Sequence, residues 1–146
     1  MPMSQRMRTR RLVVALVLPV ILSIAPTPAT SAGAQVNGAT AVPTDVCPID
    51  WRRSTWHVKK LIRCAAHHYG LSERRSLYVA DRESRFLPRA YNATSCAKGI
   101  FQHLCRYWAS RAEAFGFPDR SAYNARANIF VTMRMVKRYG WGAWGY

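Results

Sequence analysis

Four cysteines in a short chain with an export-type leader constrain the fold more than any other feature of the sequence. They are Cys47, Cys64, Cys96 and Cys105. An even number of cysteines beside an export signal predicts two disulfides. Of the three possible pairings, proximity in sequence favours Cys47–Cys64 and Cys96–Cys105. A domain of about 100 residues has a small hydrophobic core, so such cross-links stabilise it usefully.

The leader occupies residues 1–34. Its first eleven residues carry four arginines and no acid, an apolar run extends from Leu12 to Ala25, and a stretch rich in small residues extends from Pro26 to Ala34. This order is typical of a cleaved secretory signal peptide, and an Ala-x-Ala site predicts cleavage before Gln35. The apolar run is short for a bilayer span, which makes a retained membrane anchor the weaker alternative. We therefore expect a secreted protein.

The charge of the mature chain is strongly positive. Removal of the leader lowers the number of Lys and Arg residues from 22 to 18 against 7 Asp and Glu, so the net charge falls from +15 to +11. Such a charge favours an anionic partner through long-range attraction. Nucleic acid, an anionic membrane and an anionic bacterial wall all qualify, and solubility alone is a simpler explanation.

Beyond the leader, residues 35–46 read as a short polar linker, and residues 47–146 as one ordered domain. Hydrophobic periodicity and capping residues predict four helices in that domain. They extend from Ser54 or Thr55 to Gly70, from Ser72 to near Arg85, from about Leu104 to Phe115 and from about Ala125 to Tyr139. The stretch from 88 to 101 is predicted to be a loop that can hold a short hairpin. The fold class is therefore mainly α.

Glu83 is the first candidate for chemistry. It shares one side of the second helix with Val79, Ala80, Phe86 and Leu87. A glutamate on an apolar face near a helix C-terminus is partly desolvated and faces the negative end of the helix dipole, and both effects raise its pKa. A raised pKa suits a general acid that works near neutral pH. The alternative is a glutamate that turns to solvent at the helix end.

The second candidate is the tetrapeptide Gly99-Ile100-Phe101-Gln102. Glycine permits close approach of the backbone to a ligand, and Gln102 can hydrogen-bond to a polyhydroxylated substrate. Phe101 would line a sugar subsite or fill the core. A disulfide between Cys96 and Cys105 would bracket and stiffen this loop.

These segments together resemble the soluble lytic transglycosylases, a branch of the lysozyme-like superfamily. The matching pieces, in order, are Glu83-Ser84-Arg85-Phe86-Leu87-Pro88-Arg89-Ala90, Gly99-Ile100-Phe101-Gln102 and Ala127-Asn128-Ile129. The family has a Glu-Ser helix end, a Pro-x-Ala turn, a Gly-x-(Met/Phe)-Gln loop and a later Asn-Ile. The resemblance covers about residues 54–144 and implies a small lysozyme-like helical domain. The short Trp-x-x-Trp ending is similar to compact actinobacterial and phage members.

The resemblance assigns a role to each matching residue. Glu83 would be the sole catalytic carboxylate, and Ser84 would position the substrate or the glutamate. Gly99, Phe101 and Gln102 would form a wall of the sugar cleft, and Asn128 would support it. The family's tail tyrosine, which faces the glutamate, has no counterpart in the motif here. The sequence leaves its replacement open among Tyr107, Tyr123 and Tyr146.

The activity implied is cleavage of the β-1,4 bond between N-acetylmuramic acid and N-acetylglucosamine in peptidoglycan. A lytic transglycosylase would form a 1,6-anhydro sugar, whereas a lysozyme-type hydrolase, the alternative, would use water. No clear second carboxylate is visible in the sequence, which favours a substrate-assisted transglycosylase. Neither mechanism needs a cofactor or a metal.

Two non-enzymatic classes compete with this interpretation. A cationic wall-binding or antimicrobial protein would need only the net positive charge of the mature chain to bind its target. A nucleic-acid binder would show a clustered basic face or a recognisable module, and the basic residues here are spread over all helices. We therefore expect glycan strands and the anionic wall surface as partners, no nucleic acid, and a monomer. A zinc site at Cys64-Ala65-Ala66-His67 has no second matching pair and is not favoured.

Overall fold

The computed structural model describes residues 43–146. The predicted leader, residues 1–34, and the first part of the predicted linker, residues 35–42, lie outside the described residues. The described chain is mainly helical and carries a small antiparallel sheet between its second and third helices, as the sequence predicts. Its elements are α1 (Thr55–His68), α2 (Glu73–Ser84), β1 (Tyr91–Asn92), β2 (Ala97–Lys98), β3 (His103–Leu104), α3 (Cys105–Ala114) and α4 (Ala125–Tyr139), with short 3-10 turns at Trp51–Arg53 and Gly142–Trp144.

Side-chain caps fix where three of the four helices begin. Ser54 accepts a hydrogen bond from the backbone N–H of His57 at the start of α1, and Ser72 accepts one from Arg75 at the start of α2. Asn124 does the same for Ala127 at the start of α4. Each cap satisfies a backbone donor that has no partner inside the helix. The predicted start of each of these helices is confirmed.

α4 is the central helix of the domain. Ile129, Met133 and Val136 form a buried apolar stripe at helical spacing, and residues on its other sides are buried too, namely Ala127, Asn128, Phe130, Val131 and Thr132. α1 packs against α2 and α4, and α3 packs against α4. The helix is thus buried nearly all round, and its two polar residues in the interior need hydrogen-bond partners.

α2 ends within one residue of the predicted position, but the chain beyond it turns in a way that the sequence does not predict. The helix ends at Ser84, and Arg85 and Phe86 both adopt left-handed backbone conformations, with φ of 52° and 64°. Such conformations are costly for residues other than glycine. They turn the chain so that Phe86 is buried while Leu87 is 53% exposed. The prediction that Leu87 shares the apolar side of the helix is wrong, because the helical repeat stops at Ser84, three residues before it.

Both predicted disulfides are present. Cys47 is bonded to Cys64, which ties the segment before α1 to that helix, and Cys96 is bonded to Cys105, which ties β2 to the start of α3. Structural disulfides of this kind indicate an oxidising, extracellular compartment. Among residues 43–146, none of the helices combines the length and apolar character needed to cross a membrane.

The three strands form a sheet in the order β1-β2-β3, with each neighbouring pair antiparallel. Asn92 pairs with Ala97, and Ala97 pairs in turn with Leu104. The Asn92 side chain accepts hydrogen bonds from the backbone N–H groups of Thr94 and Ser95, which closes the turn between β1 and β2. β1 and β2 lie within the predicted loop, and β3 follows just after its end at residue 101. The sheet forms one side of the cleft described below.

Candidate active site

A cleft of about 480 Å³ opens at the C-terminal end of α2. α2 contributes Glu83 and Arg82, and the sheet region, α3 and the chain end contribute the rest. Besides these two, the lining residues are Asn92, Ser95, Ala97, Gln102, Leu104, Arg111, Ala143 and Trp144. Most of the side chains that face it are polar, as suits a hydroxylated ligand.

Glu83 is half-buried at this cleft, and burial is the main influence on the pKa of its carboxyl group. Burial raises the pKa of its carboxyl above the ordinary value, because desolvation disfavours the charged form. The guanidinium of Arg82 acts in the opposite direction and lowers that pKa, with the smaller effect. Within residues 43–146, Glu83 forms no ion pair that would hold it ionised. The side chain is therefore suited to carry and release a proton.

Glu83 is the only acidic residue that lines the cleft, within the part of the chain that the structure describes. All seven Asp and Glu residues of the chain lie in residues 43–146. Asp50 and Glu73, for example, form surface ion pairs with Arg52 and His67. Chemistry that needs two facing carboxylates has no second partner here.

Gln102 also lines the cleft, but its amide group is already engaged. Its Nε2 donates hydrogen bonds to the carbonyl oxygens of Gly99, at 2.8 Å, and Ala90, at 3.4 Å. Because both protons of the amide nitrogen are used, only the amide oxygen remains for a ligand. Gln102 itself has a φ of 48°, a left-handed conformation that is costly for a non-glycine residue. The loop is thus held in one shape, and Gln102 can act there as an acceptor.

Asn128, in the first turn of α4, holds the loop in place through hydrogen bonds to its backbone. Its Oδ1 accepts a hydrogen bond from the backbone N–H of Phe101 at 2.9 Å, and its Nδ2 donates to the carbonyl oxygens of Ala122 and Lys98. Gly99 lies directly against this side chain, and a Cβ at Gly99 would collide with Asn128 and with the Ala122 carbonyl oxygen. Asn128 and Gly99 therefore build the loop and do not line the cleft.

Two further predicted residues are buried away from the cleft. Phe101 is fully buried and packs against Trp141 and Trp144, so it fills the core and its side chain forms no wall of the cleft. Ser84 is buried and its hydroxyl donates to the carbonyl oxygen of Ala80 in its own helix. Of the six predicted site residues, the structure brings Glu83 and Gln102 together at the cleft and places the other four behind it.

The aromatic residue that reaches the cleft is Trp144, from the 3-10 turn at the chain end. Its indole N–H donates to the carbonyl oxygen of Phe101 at 2.8 Å, which fastens the chain end to the loop. None of the three candidate tyrosines lines the cleft, within the described residues. Tyr146, for instance, packs edge-on against Tyr78 instead. Trp144 is thus the aromatic residue that lines the cleft, within the described residues.

The sequence did not single out Arg111, Asn92 or Ser95 as cleft residues. Arg111 lies one turn before the end of α3, and Asn92 and Ser95 flank the turn between β1 and β2. Their only sequence signal is that Asn92 and Ser95 lie in the polar loop between the two motif segments. Which way such side chains point depends on how the sheet and α3 pack against α2.

No three His, Cys, Asp or Glu side chains in residues 43–146 form a group that would hold a metal ion. The sulfur of Cys64, the ligand considered from sequence, is bonded to Cys47. Comparison of the chain with protein-family models, with curated proteins and with solved structures gives no match. The resemblance to soluble lytic transglycosylases accordingly stays a prediction.

Proposed function

We propose that the protein is a secreted enzyme that cleaves the β-1,4 bond between N-acetylmuramic acid and N-acetylglucosamine in peptidoglycan. The observation that carries the proposal is the half-buried Glu83, whose pKa is raised by burial at a polar cleft in which it is the only acid. One carboxylate that carries a proton at a polar cleft suits general acid catalysis on a glycan.

Protonated Glu83 donates its proton to the glycosidic oxygen as the bond to the sugar carbon breaks. The acetamido oxygen of the substrate stabilises the positive charge that develops at that carbon, in place of a second carboxylate. Ionised Glu83 then takes the proton of the attacking hydroxyl. Attack by the 6-hydroxyl of the same muramic acid gives a 1,6-anhydro product, and attack by water gives a reducing end. The absence of a second acid among the described cleft residues favours the first outcome.

The cleft offers groups for the rest of the sugar chain. The Gln102 amide oxygen accepts hydrogen bonds from sugar hydroxyls, and Trp144 offers an aromatic surface in the same cleft. The net charge of the mature chain, +11 by sequence, attracts it to an anionic wall.

The decisive experiment is mass spectrometry of fragments released from purified peptidoglycan by the protein and by Glu83→Gln. We expect anhydro-muropeptides from the wild type and none from the variant. Asp81→Asn is the matched control, since it removes an exposed carboxylate from the same helix and leaves the products unchanged. Reducing-end products would make the protein a lysozyme-type hydrolase that still uses Glu83.

A non-catalytic, cationic wall-binding protein is the second candidate, favoured by the same positive charge. It predicts no fragment release by either protein, with equal binding of the wild type and Glu83→Gln to insoluble walls. That pair of results would overturn the enzymatic proposal.

A further inference from the structure

We propose that Arg111 is the residue with which the cleft recognises a carboxylate on the glycan strand, and that the buried His103 holds it in position. The proposal rests on the proposed function and names the feature of the substrate that this site selects. It follows from a chain of hydrogen bonds that leads from the centre of α4 to the cleft.

The direction of every hydrogen bond in this chain is fixed by chemistry. A guanidinium only donates, so Arg111 Nη1 donates to His103 Nδ1, 3.2 Å away. Nδ1 is therefore unprotonated, and the neutral ring carries its proton on Nε2. That nitrogen lies 2.8 Å from the hydroxyl oxygen of Thr132, which gives its own proton to the carbonyl oxygen of Asn128. Arg111 is thus tied to the same turn of α4 that shapes the loop around Gln102.

The surroundings of His103 keep the ring neutral. The ring is fully buried, and it packs against Trp108 and Trp144. Burial, followed by the charge of Arg111, lowers the pKa of His103 to about 3. Because the ring is neutral and its Nδ1 accepts a hydrogen bond, the guanidinium of Arg111 can lie next to it. We infer that His103 is a positioning residue, since it reaches the cleft only through Arg111.

Arg111 is a partly buried cation without an acidic partner. Within residues 43–146, its side chain forms no ion pair, and burial lowers its pKa. Its remaining described contact is with the ring of Tyr107, 5.1 Å from the guanidinium carbon to the ring centroid. A partly desolvated guanidinium that lines the cleft and forms no ion pair within the described residues favours a negatively charged ligand.

The other cation at the cleft is less suited to this role. Arg82 is exposed on α2, and its side chain forms no hydrogen bond or ion pair within the described residues. A ligand would have to immobilise it, whereas Arg111 is already held in place. With one N–H given to His103, four N–H groups of Arg111 remain, enough for a paired contact with a carboxylate.

The carboxylate identifies the substrate within its chemical class. The lactyl group of muramic acid supplies one carboxylate when the stem peptide is removed, and the stem peptide supplies others when it is present. A polymer of N-acetylglucosamine alone has the same backbone linkage and no carboxylate. Arg111 therefore makes the cleft select wall glycan over the neutral polymer.

The test compares kcat/KM of the wild type, Arg111→Gln and Arg106→Gln on intact peptidoglycan, on peptide-stripped glycan and on N-acetylglucosamine oligomers. Arg106 is the matched control, an exposed arginine of α3 that does not line the cleft. We expect Arg111→Gln to lose about 10- to 100-fold on the substrates with carboxylates and less than about 2-fold on the neutral oligomers. The arm with the larger loss identifies which carboxylate is bound. Equal losses on all three substrates, or no loss, would overturn the proposal.

Two further measurements keep the test independent of turnover and separate positioning from packing. Binding of peptide-stripped and neutral fragments of equal length to Glu83→Gln is measured with and without Arg111→Gln, so the proposal is tested even if no substrate is cleaved. A lack of cleavage would refute only the proposed function and would leave the role of Arg111 in binding to be decided by this measurement. His103→Gln should weaken selection for carboxylates but add no further loss in the Arg111→Gln background, as expected for residues that act as one unit. Additive losses would overturn the positioning role of His103, since they would show that it does not act through Arg111.

Discussion

The neutral, buried His103 makes a quantitative prediction about stability. In the folded protein, burial and then the neighbouring guanidinium of Arg111 lower the pKa of His103 to about 3, from an ordinary 6.5. In the unfolded chain the ring is solvated and returns to the ordinary pKa. The two states therefore bind different numbers of protons at this residue throughout the range between the two values.

The sign and the size of the pH effect on the free energy of unfolding follow from this difference in bound protons. As the pH falls below 6.5, the unfolded chain takes up a proton at His103 that the folded protein does not, so the free energy of unfolding decreases. Each pH unit contributes about 1.4 kcal/mol, so the two units from 6.5 to 4.5 remove about 2.7 kcal/mol. At pH 4.5 the folded ring is still neutral, and the loss continues until the pH approaches 3.

The assay is urea unfolding at pH 7.5 and pH 4.5 with the disulfides intact, followed by tryptophan fluorescence. The pH-dependent loss of stability should be about 2.7 kcal/mol smaller in His103→Gln than in the wild type. The comparison cancels the carboxylates and histidines that both proteins share, even if the variant is less stable at both pH values. His68→Gln, which removes an exposed histidine, controls for the loss of a histidine as such.

The same pH-dependent loss in the wild type and in His103→Gln would refute the reasoning. It would mean that His103 takes up its proton in the folded protein as readily as in the unfolded chain. The guanidinium of Arg111 would then face an imidazolium, and the hydrogen-bond direction assigned above would be wrong.

Two other predictions follow from the site. Gly99→Ala should cost about 3 kcal/mol in unfolding free energy, because its φ is 79° and its Cβ would meet Asn128 and the Ala122 carbonyl. Gly70→Ala, at a φ of 65° with only the end of a lysine side chain nearby, should cost about 1 kcal/mol; equal costs would contradict the packing argument. Glycan cleavage by protonated Glu83 should decline as the pH rises through its raised pKa, and Arg82→Gln should move that decline to higher pH because the guanidinium lowers the pKa. Arg85→Gln should leave the pH–rate profile in place, and a shift of equal size in both variants would count against a specific effect of Arg82.

Local features of the sequence predict the helices and the disulfides of this domain well. Ser54, Ser72 and Asn124 cap helices at the predicted positions because a cap depends on the few residues beside it. The cysteine pairs are close in sequence, so the chain brings them together with little loss of entropy. The prediction failed at Leu87, where two successive left-handed residues end the helical repeat. Nothing in the periodicity of the sequence indicates that turn.

The candidate site is only partly visible in the sequence. Glu83 and Gln102 are found by their motifs and do line the cleft, whereas Phe101, from the same motif, is buried in the core. An apolar motif residue can serve either purpose, and only packing decides between them. Arg111 was missed because an arginine in the last turn of a helix is ordinarily a solvated residue.

The sequence by itself determined the four helices, the two cross-links and the glutamate at the end of α2, because each depends on neighbours along the chain. Tertiary structure alone decided that α4 is buried on nearly every side and that its Thr132 holds His103. It also decided that His103 holds Arg111 at the cleft. The contact between His103 and Thr132 joins residues 29 positions apart, and the contact between His103 and Arg111, 8 positions apart, joins β3 to α3. Their geometry exists only after the helices have packed, which is why no pattern along the chain records it.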